Sequence, residues 1–207
     1  MMKIKQFQGR ILLVVSAVAV AGCAAMGAQR FDVSAYAKAS FAEKGAAKLD
    51  RLEQSELQRT CSEYTLKPLP DRLRAQLEKQ ELARVKYPAD GKYLGDWKQG
   101  ETIAQSGRGL QFSDGPNTVA GGNCYACHQL TQAEVSHGTI GPSLHQYGKL
   151  RGQSEPILKY TWGKLWNAHA FNACTNMPRF GDAGILTESQ LRHVMALLLD
   201  PASPVNR

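Results

Sequence analysis

Cys124-Tyr125-Ala126-Cys127-His128 is the stretch from which the rest of this chain can be read. Two thiols separated by two residues on one turn can each add across a vinyl group of a porphyrin, and the adjoining imidazole then lies beneath the iron as its proximal ligand. The reading is one covalently bound haem c, with Cys124 and Cys127 as attachment points and His128 as an axial ligand. A zinc half-site would need a second Cys or His pair at ligand spacing, and a thioredoxin-like redox pair normally opens a helix after a strand. The sequence offers neither.

A haem iron held by histidine on one side needs a sixth ligand if its work is fast electron transfer. Methionine supplies a soft thioether and raises the potential. Met177 lies in Asn172-Ala173-Cys174-Thr175-Asn176-Met177-Pro178-Arg179-Phe180-Gly181, 49 positions after His128, far enough for the chain to pass around the ring. Pro178 stiffens that loop. Met177 is the expected sixth ligand. The alternatives are Met195, His145, His169, Cys174 and an open position, the last of which would imply a ligand sensor.

Upstream, Lys3, Lys5 and Arg10 precede an apolar run from Ile11 to Ala21, too short and too promptly ended by small residues for a membrane span. Residues 1–22 read as an export signal. The run closes on Val20-Ala21-Gly22-Cys23, which fits a lipoprotein signal in which Cys23 carries the lipid; cleavage near Ala25 or Ala28 would instead discard it. Either outcome puts the mature chain outside the cytoplasm, in a periplasmic location or anchored to a membrane there. Loss of residues 1–22 lowers the formal charge from +7 to +4, and the scattered Lys and Arg residues give no sign of nucleic-acid binding. The cysteine count then becomes informative, because exported thiols tend to be consumed in bonds. With Cys23, Cys124 and Cys127 assigned, Cys61 and Cys174 remain, and a Cys61–Cys174 disulfide is expected, against two separately buried thiols.

Helical periodicity dominates the remainder. The patterns suggest helices over 35–49, from Leu49 toward Cys61, over 71–85, over 98–108, after Ser154-Glu155-Pro156, and over 187–199. Thr187 with Gln190 three positions on is a capping-box signature, and Leu191, Val194, Met195 and Leu198 make one apolar stripe. The expected fold is mainly α. It comprises an N-terminal helical extension over 23–95 and a class I cytochrome c-like helical domain over 96–207.

Helix, loop and Cys-x-x-Cys-His in that order resemble the small class I c-type cytochromes. The combination of Gly91-Lys92-Tyr93-Leu94-Gly95-Asp96-Trp97, Gly121 to His128, Gly138-Thr139-Ile140-Gly141-Pro142-Ser143-Leu144-His145 and the Met177-Pro178 loop more closely resembles SoxX, the monohaem subunit of the SoxAX complex. That likeness covers roughly residues 85–200. It implies that the Pro142 carbonyl accepts the second N–H of His128. It also implies a heterodimer with a SoxA-like cytochrome subunit, which couples thiosulfate oxidatively to a cysteine of a SoxYZ-like carrier and carries the sulfur site. This chain would be the redox subunit of that thiosulfate-oxidising enzyme, receiving electrons and passing them to a small cytochrome. The alternative is a stand-alone periplasmic electron carrier. Thiosulfate chemistry comes only from the resemblance; the electron-transfer site comes from the residues.

Overall fold

Four α-helices among the described residues begin where a short polar side chain, Asp32, Ser55, Asp96 or Thr187, accepts from an otherwise unpaired backbone N–H. The computed structural model describes residues 31–207, so the export signal and Cys23 lie outside the described residues. The chain divides into two compact units, one ending at Phe41 and one running from Ala42 to Arg207. In the first, the Asp32 carboxylate accepts from the Ala35 N–H at 2.9 Å and starts α1 (Val33–Ser40). The sequence pattern suggested a helix continuing to residue 49. Instead, Lys44 and Ala47 form an isolated antiparallel bridge around Gly45, whose φ of +55° is the left-handed conformation glycine tolerates.

In the second unit, Leu49–Leu52 make a single 3₁₀ turn rather than joining a helix toward Cys61. The break comes from Ser55, which caps α2 (Glu56–Glu63) through the Gln58 N–H while the Gln58 side chain returns to the Ser55 N–H. Pro70 precedes α3 (Asp71–Leu82), which buries Leu77 and Glu81. Leu57 of α2, Leu77 and Ala173 form a small apolar cluster, with Cys61, Leu69 and Leu73 packed against it. The Cys61–Cys174 disulfide is formed beside it, with 5.5 Å between the two Cα atoms.

The larger core gathers around two helices. Asp96 caps α4 (Trp97–Gln105), which stops short of residue 108 as the chain enters its glycine-rich passage. Thr187 and Gln190 form the capping box that opens the last helix of the chain, which spans Glu188–Leu199. This helix and α4 cross in the most extensive helix pair of the unit. The crossing is close because glycine makes it so: a Cβ at Gly100 would stand 2.1 Å from the His193 carbonyl oxygen, and one at Gly95 would stand 2.6 Å from His193 Nδ1. The Gly95 N–H donates to the Arg192 carbonyl at 2.9 Å. Behind the crossing lie fully buried Ala104, Leu191, Met195 and Leu197.

Between these helices come α5 (Tyr147–Arg151), which periodicity did not reveal, and α6 (Glu155–Trp166). Ser154 occupies the N-cap of α6 but makes no side-chain capping bond; Pro156 sits in the first turn, where its missing donor is harmless. Gly163 lets the Phe171 ring approach, since a Cβ there would meet it at 2.9 Å. The final helix is α7 (Glu188–Leu199), followed by a 3₁₀ turn at Pro204–Asn206. Asn206 is buried, accepts from the Gly148 and Lys149 N–H groups, and donates to the Leu198 and Asp200 carbonyls. The fold is mainly α, and the described residues contain no β-strand. The crossing of α4 with α7 is the arrangement expected of a cytochrome c-like helical domain.

Candidate functional site

The approach to the two-cysteine motif is a run of backbone hydrogen bonds onto the end of α4. Gly121 donates to Arg108, Gly122 to Ile103 and Asn123 to Ser106, each at 2.9 Å. Gly121 lies so near α4 that a Cβ would fall 2.0 Å from the Ser106 carbonyl oxygen. Asn123 then takes a left-handed conformation (φ 46°, ψ 41°), which a short polar side chain tolerates better than most, and reverses the chain into the 3₁₀ turn Cys124–Ala126. The Cys127 and His128 N–H groups both donate to the Cys124 carbonyl. Cys124, Cys127 and His128 are thereby held on one turn.

A second segment lies along this turn through three N–H donors. Gly138 donates to Tyr125, Gly141 to Cys127 and Leu144 to Gln129, all at 2.8 Å. Two of these residues are glycine for a steric reason. A Cβ on Gly138 would stand 1.8 Å from the Ala126 carbonyl oxygen, and one on Gly141 would stand 2.2 Å from Cε1 of the His128 ring. Pro142 follows, with its carbonyl oxygen 2.7 Å from His128 Nδ1. A carbonyl can only accept, so Nδ1 carries the proton and Nε2 of the neutral ring keeps its lone pair for a metal. The sequence placed Gly138 and Gly141 in the loop that resembles the cytochrome one but gave neither a steric role; Gly141, immediately before Pro142, was the available signal.

Cys124 and Cys127 are free, half-buried thiols. Burial pushes the Cys124 thiol up to about 12, so it stays protonated at neutral pH. Among the described residues there is no grouping of three or more His, Cys, Asp or Glu side chains suited to a metal ion.

Met177 is half-buried and packs against the main core cluster, as does Cys124. Its N–H donates to Thr175 Oγ1 at 3.2 Å. Three of the alternatives for a sixth ligand occupy other roles. Met195 is fully buried within α7, Cys174 is consumed by the disulfide, and the His169 ring bonds the Ala173 carbonyl through Nδ1. His145 is part-buried, and its Nδ1 is shielded from solvent without a protein partner. Trp166 Nε1 is a second such orphan. A buried indole N–H without an acceptor normally costs about 1–3 kcal/mol. Its presence fits a site whose bound group brings its own acceptors, as the carboxylates of haem would.

Trp162 is fully buried, stacks on Trp166 at 6.1 Å and donates from Nε1 to the Lys86 carbonyl. Trp97 is partly buried at the start of α4. His193 of α7 accepts the Asp96 N–H on Nδ1 at 2.9 Å.

The residues therefore fit covalent haem: two thiols and an imidazole on one turn, a proton-fixing carbonyl behind the imidazole, and a buried indole N–H without a protein acceptor. No protein-family model matches the chain. It is similar to an uncharacterized lipoprotein of Aquifex aeolicus (strain VF5), 38% identical over 136 residues that cover 64% of this chain. The match covers 63% of that relative's length, so the chain spans less than two thirds of it. That relative is a lipoprotein. No helix among the described residues is long and apolar enough to cross a membrane.

Proposed function

We propose that this protein is an electron-transfer c-type cytochrome that binds one haem. Cys124 and Cys127 would hold it covalently, each sulfur joined to one former vinyl group whose other carbon takes the thiol proton. His128 through Nε2 and Met177 through Sδ would hold its iron. Bound haem supplies a single electron-accepting iron, and the chain's own work is to hold its ligands fixed so that little rearranges when charge changes. The observation that carries the reading is His128, with its ring close against Gly141 and its Nδ1–H directed to the Pro142 carbonyl. That contact fixes both the tautomer and the orientation a haem imidazole needs.

At the finer level, the reading is a SoxX-like subunit of a SoxAX-type complex. Joining thiosulfate to a carrier thiolate forms a sulfur–sulfur bond and releases two electrons. A subunit with one haem passes them on singly to a small cytochrome, while the sulfur site belongs to a SoxA-like partner. The lipoprotein relative and the Cys23 signal support an exported chain, anchored through Cys23 on the outer side of a membrane.

The test begins with expression in a host that attaches haem. Denatured native protein should retain haem, and the Cys124→Ser/Cys127→Ser variant should not. The oxidised native protein should show the weak long-wavelength sulfur-to-iron absorption, absent in Met177→Ala. A native protein that retains no haem sinks the whole reading. One that lacks the band and binds carbon monoxide rapidly replaces electron transfer with ligand binding. Co-purification with a SoxA-like cytochrome, and reduction of the haem by thiosulfate plus carrier only in that complex, tests the finer reading; a lone monohaem protein leaves a stand-alone carrier.

A further inference from the structure

Met177 sits in a loop without helix, and a methionine thioether is a neutral, weakly held ligand. What keeps it at iron is its local concentration, and that depends on how tightly the chain on each side is fixed. In this protein both sides are fixed largely by residues from the N-terminal extension.

On the upstream side, three positions before Met177, Cys174 is bonded to Cys61 of α2. The neighbouring Ala173 is fully buried against Leu57 and Leu77, its N–H donates to Glu78 Oε1 of α3 at 3.2 Å, and its carbonyl accepts from His169. On the downstream side, five positions after Met177, the Asp182 carboxylate accepts two bonds from Arg84, at 3.1 and 2.8 Å, just beyond α3. The Gly181 and Asp182 N–H groups also donate to the Trp166 carbonyl, where Trp166 ends α6. A third tie holds α6 itself: Asn167, next in the chain, donates to the buried Glu81 carboxylate at 2.7 Å and to the Glu81 carbonyl. A surface ion pair is ordinarily weak, but a two-pronged Arg–carboxylate pair with its carboxylate mostly covered adds geometric restraint as well as energy.

We infer that the extension is a clamp for the sixth-ligand loop, with Cys61, Cys174, Glu78 and Arg84 acting as positioning residues that keep Met177 at the iron. This rests on the haem and Met177 reading above. A haem domain alone would carry the ligand; the extension restricts its excursions. Removing the clamp converts a closed electron-transfer site into one open to exogenous ligands, without altering any iron ligand.

The experiment compares haem-loaded full-length protein with four variants: Cys61→Ser/Cys174→Ser, Arg84→Gln, Glu78→Gln, and the three combined. Asn206→Ala, which loosens α5 and α7 but touches neither loop anchor, serves as a control for general destabilisation. Three quantities are read: the sulfur-to-iron band of the oxidised protein, the rate of carbon monoxide binding to the reduced protein, and hydrogen exchange of amides 172–182. The combined variant should keep its covalent haem and helical circular dichroism, lose most of the band, and bind carbon monoxide about tenfold faster or more, as expected when effective ligand concentration falls. Exchange in 172–182 should rise while that in α4 and α7 does not. Asn206→Ala should keep the band.

If the combined variant does not accumulate, the Arg84→Gln and Glu78→Gln proteins, which retain the disulfide, are judged by the same readouts. A native-like band and native-like carbon monoxide resistance in the variants overturn the clamp while leaving Met177 as ligand. So does loss of the band in Asn206→Ala to the same extent as in the combined variant. Absence of the band from the native protein instead overturns the Met177 reading on which the clamp depends.

Discussion

At the residue scale, steric exclusion does as much as chemistry to define the candidate site. Gly141 has no side chain because the His128 imidazole occupies the space where one would be. Gly141→Ala should therefore displace the ring, weaken the Nδ1–H bond to Pro142, and destabilise the protein by about 1–3 kcal/mol, the cost of inserting a methyl group into a filled space. Denaturant unfolding measures the loss, and an unchanged midpoint would show that the ring moves freely. Asp90 offers a residue-scale test with a sign. Two bonds from Arg192, and one from the Lys92 N–H, hold its carboxyl at about 2, below the ordinary 3.8. A depressed folded-state value means the contribution is present above about pH 3.8 and disappears as pH falls through about 2. Stability measured by urea unfolding should fall less steeply between those values in Asp90→Asn than in the native protein. Equal slopes would show that the pair contributes nothing in solution.

At the element scale, the α4–α7 crossing depends on missing side chains, that of Gly100 above all. Gly100→Ala would drive a Cβ to 2.1 Å from a backbone oxygen that cannot rotate away, so the helices must separate. A loss of about 2–3 kcal/mol is expected, at the upper end for overpacking because the obstruction is backbone. Differential unfolding of Gly100→Ala against an exposed-site change such as Gln99→Ala measures it, and similar midpoints would refute the close approach. The N-terminal side of α7 has a second tie, where Gln190 Nε2 donates to the Ala120 carbonyl of the glycine-rich passage. Asn206 performs the equivalent joining at the other end of α7. Its replacement by Ala leaves two N–H groups and two carbonyls without their partner, and about 3 kcal/mol of stability should go with it. A Tm within a degree of the native value would mean that water substitutes for the amide.

At the scale of the whole molecule, the extension from residue 42 onward belongs to the same compact unit as the two-cysteine turn. Its attachment is distributed: the disulfide, the Leu57–Leu77–Ala173 cluster, the Glu81–Asn167 bonds and the Trp162 bond to Lys86 all join it to α6 and the segment after it. The disulfide closes 113 positions, and in the chain-entropy account a loop of that length is worth about 4–5 kcal/mol, commonly less in practice. Cys61→Ser/Cys174→Ser should thus lower stability by about 3–4 kcal/mol in chemical denaturation, within the range seen for native disulfides. A loss below about 1 kcal/mol would show that the noncovalent contacts alone hold the extension, since typical bridges contribute 2–4.

The sequence by itself determined the parts whose chemistry is local. Cys124, Cys127 and His128 point to the proposed haem turn because all three are neighbours, and Thr187 with Gln190 announces a helix start because its capping bonds span three residues. The Cys61–Cys174 pairing was legible too, by a different route: an exported chain with three other cysteines assigned leaves one pair, and the structure forms it. Helix ends were less legible. Alanine-rich periodicity ran past Ser40, and the Gly45 turn and the Ser55 cap divided what looked continuous. Only the tertiary structure decided the rest. Gly100 and Gly141 look like ordinary loop or helix glycines until the backbone of His193 or the ring of His128 is brought against them. Glu78, Glu81, Arg84 and Asn206 look like surface polar residues until partners 57 to 98 positions away arrive. The physical reason is one of range: capping, turn chemistry and motif spacing act within a few residues and are written in order along the chain, whereas close approach and buried hydrogen bonding exist only once distant segments are packed together.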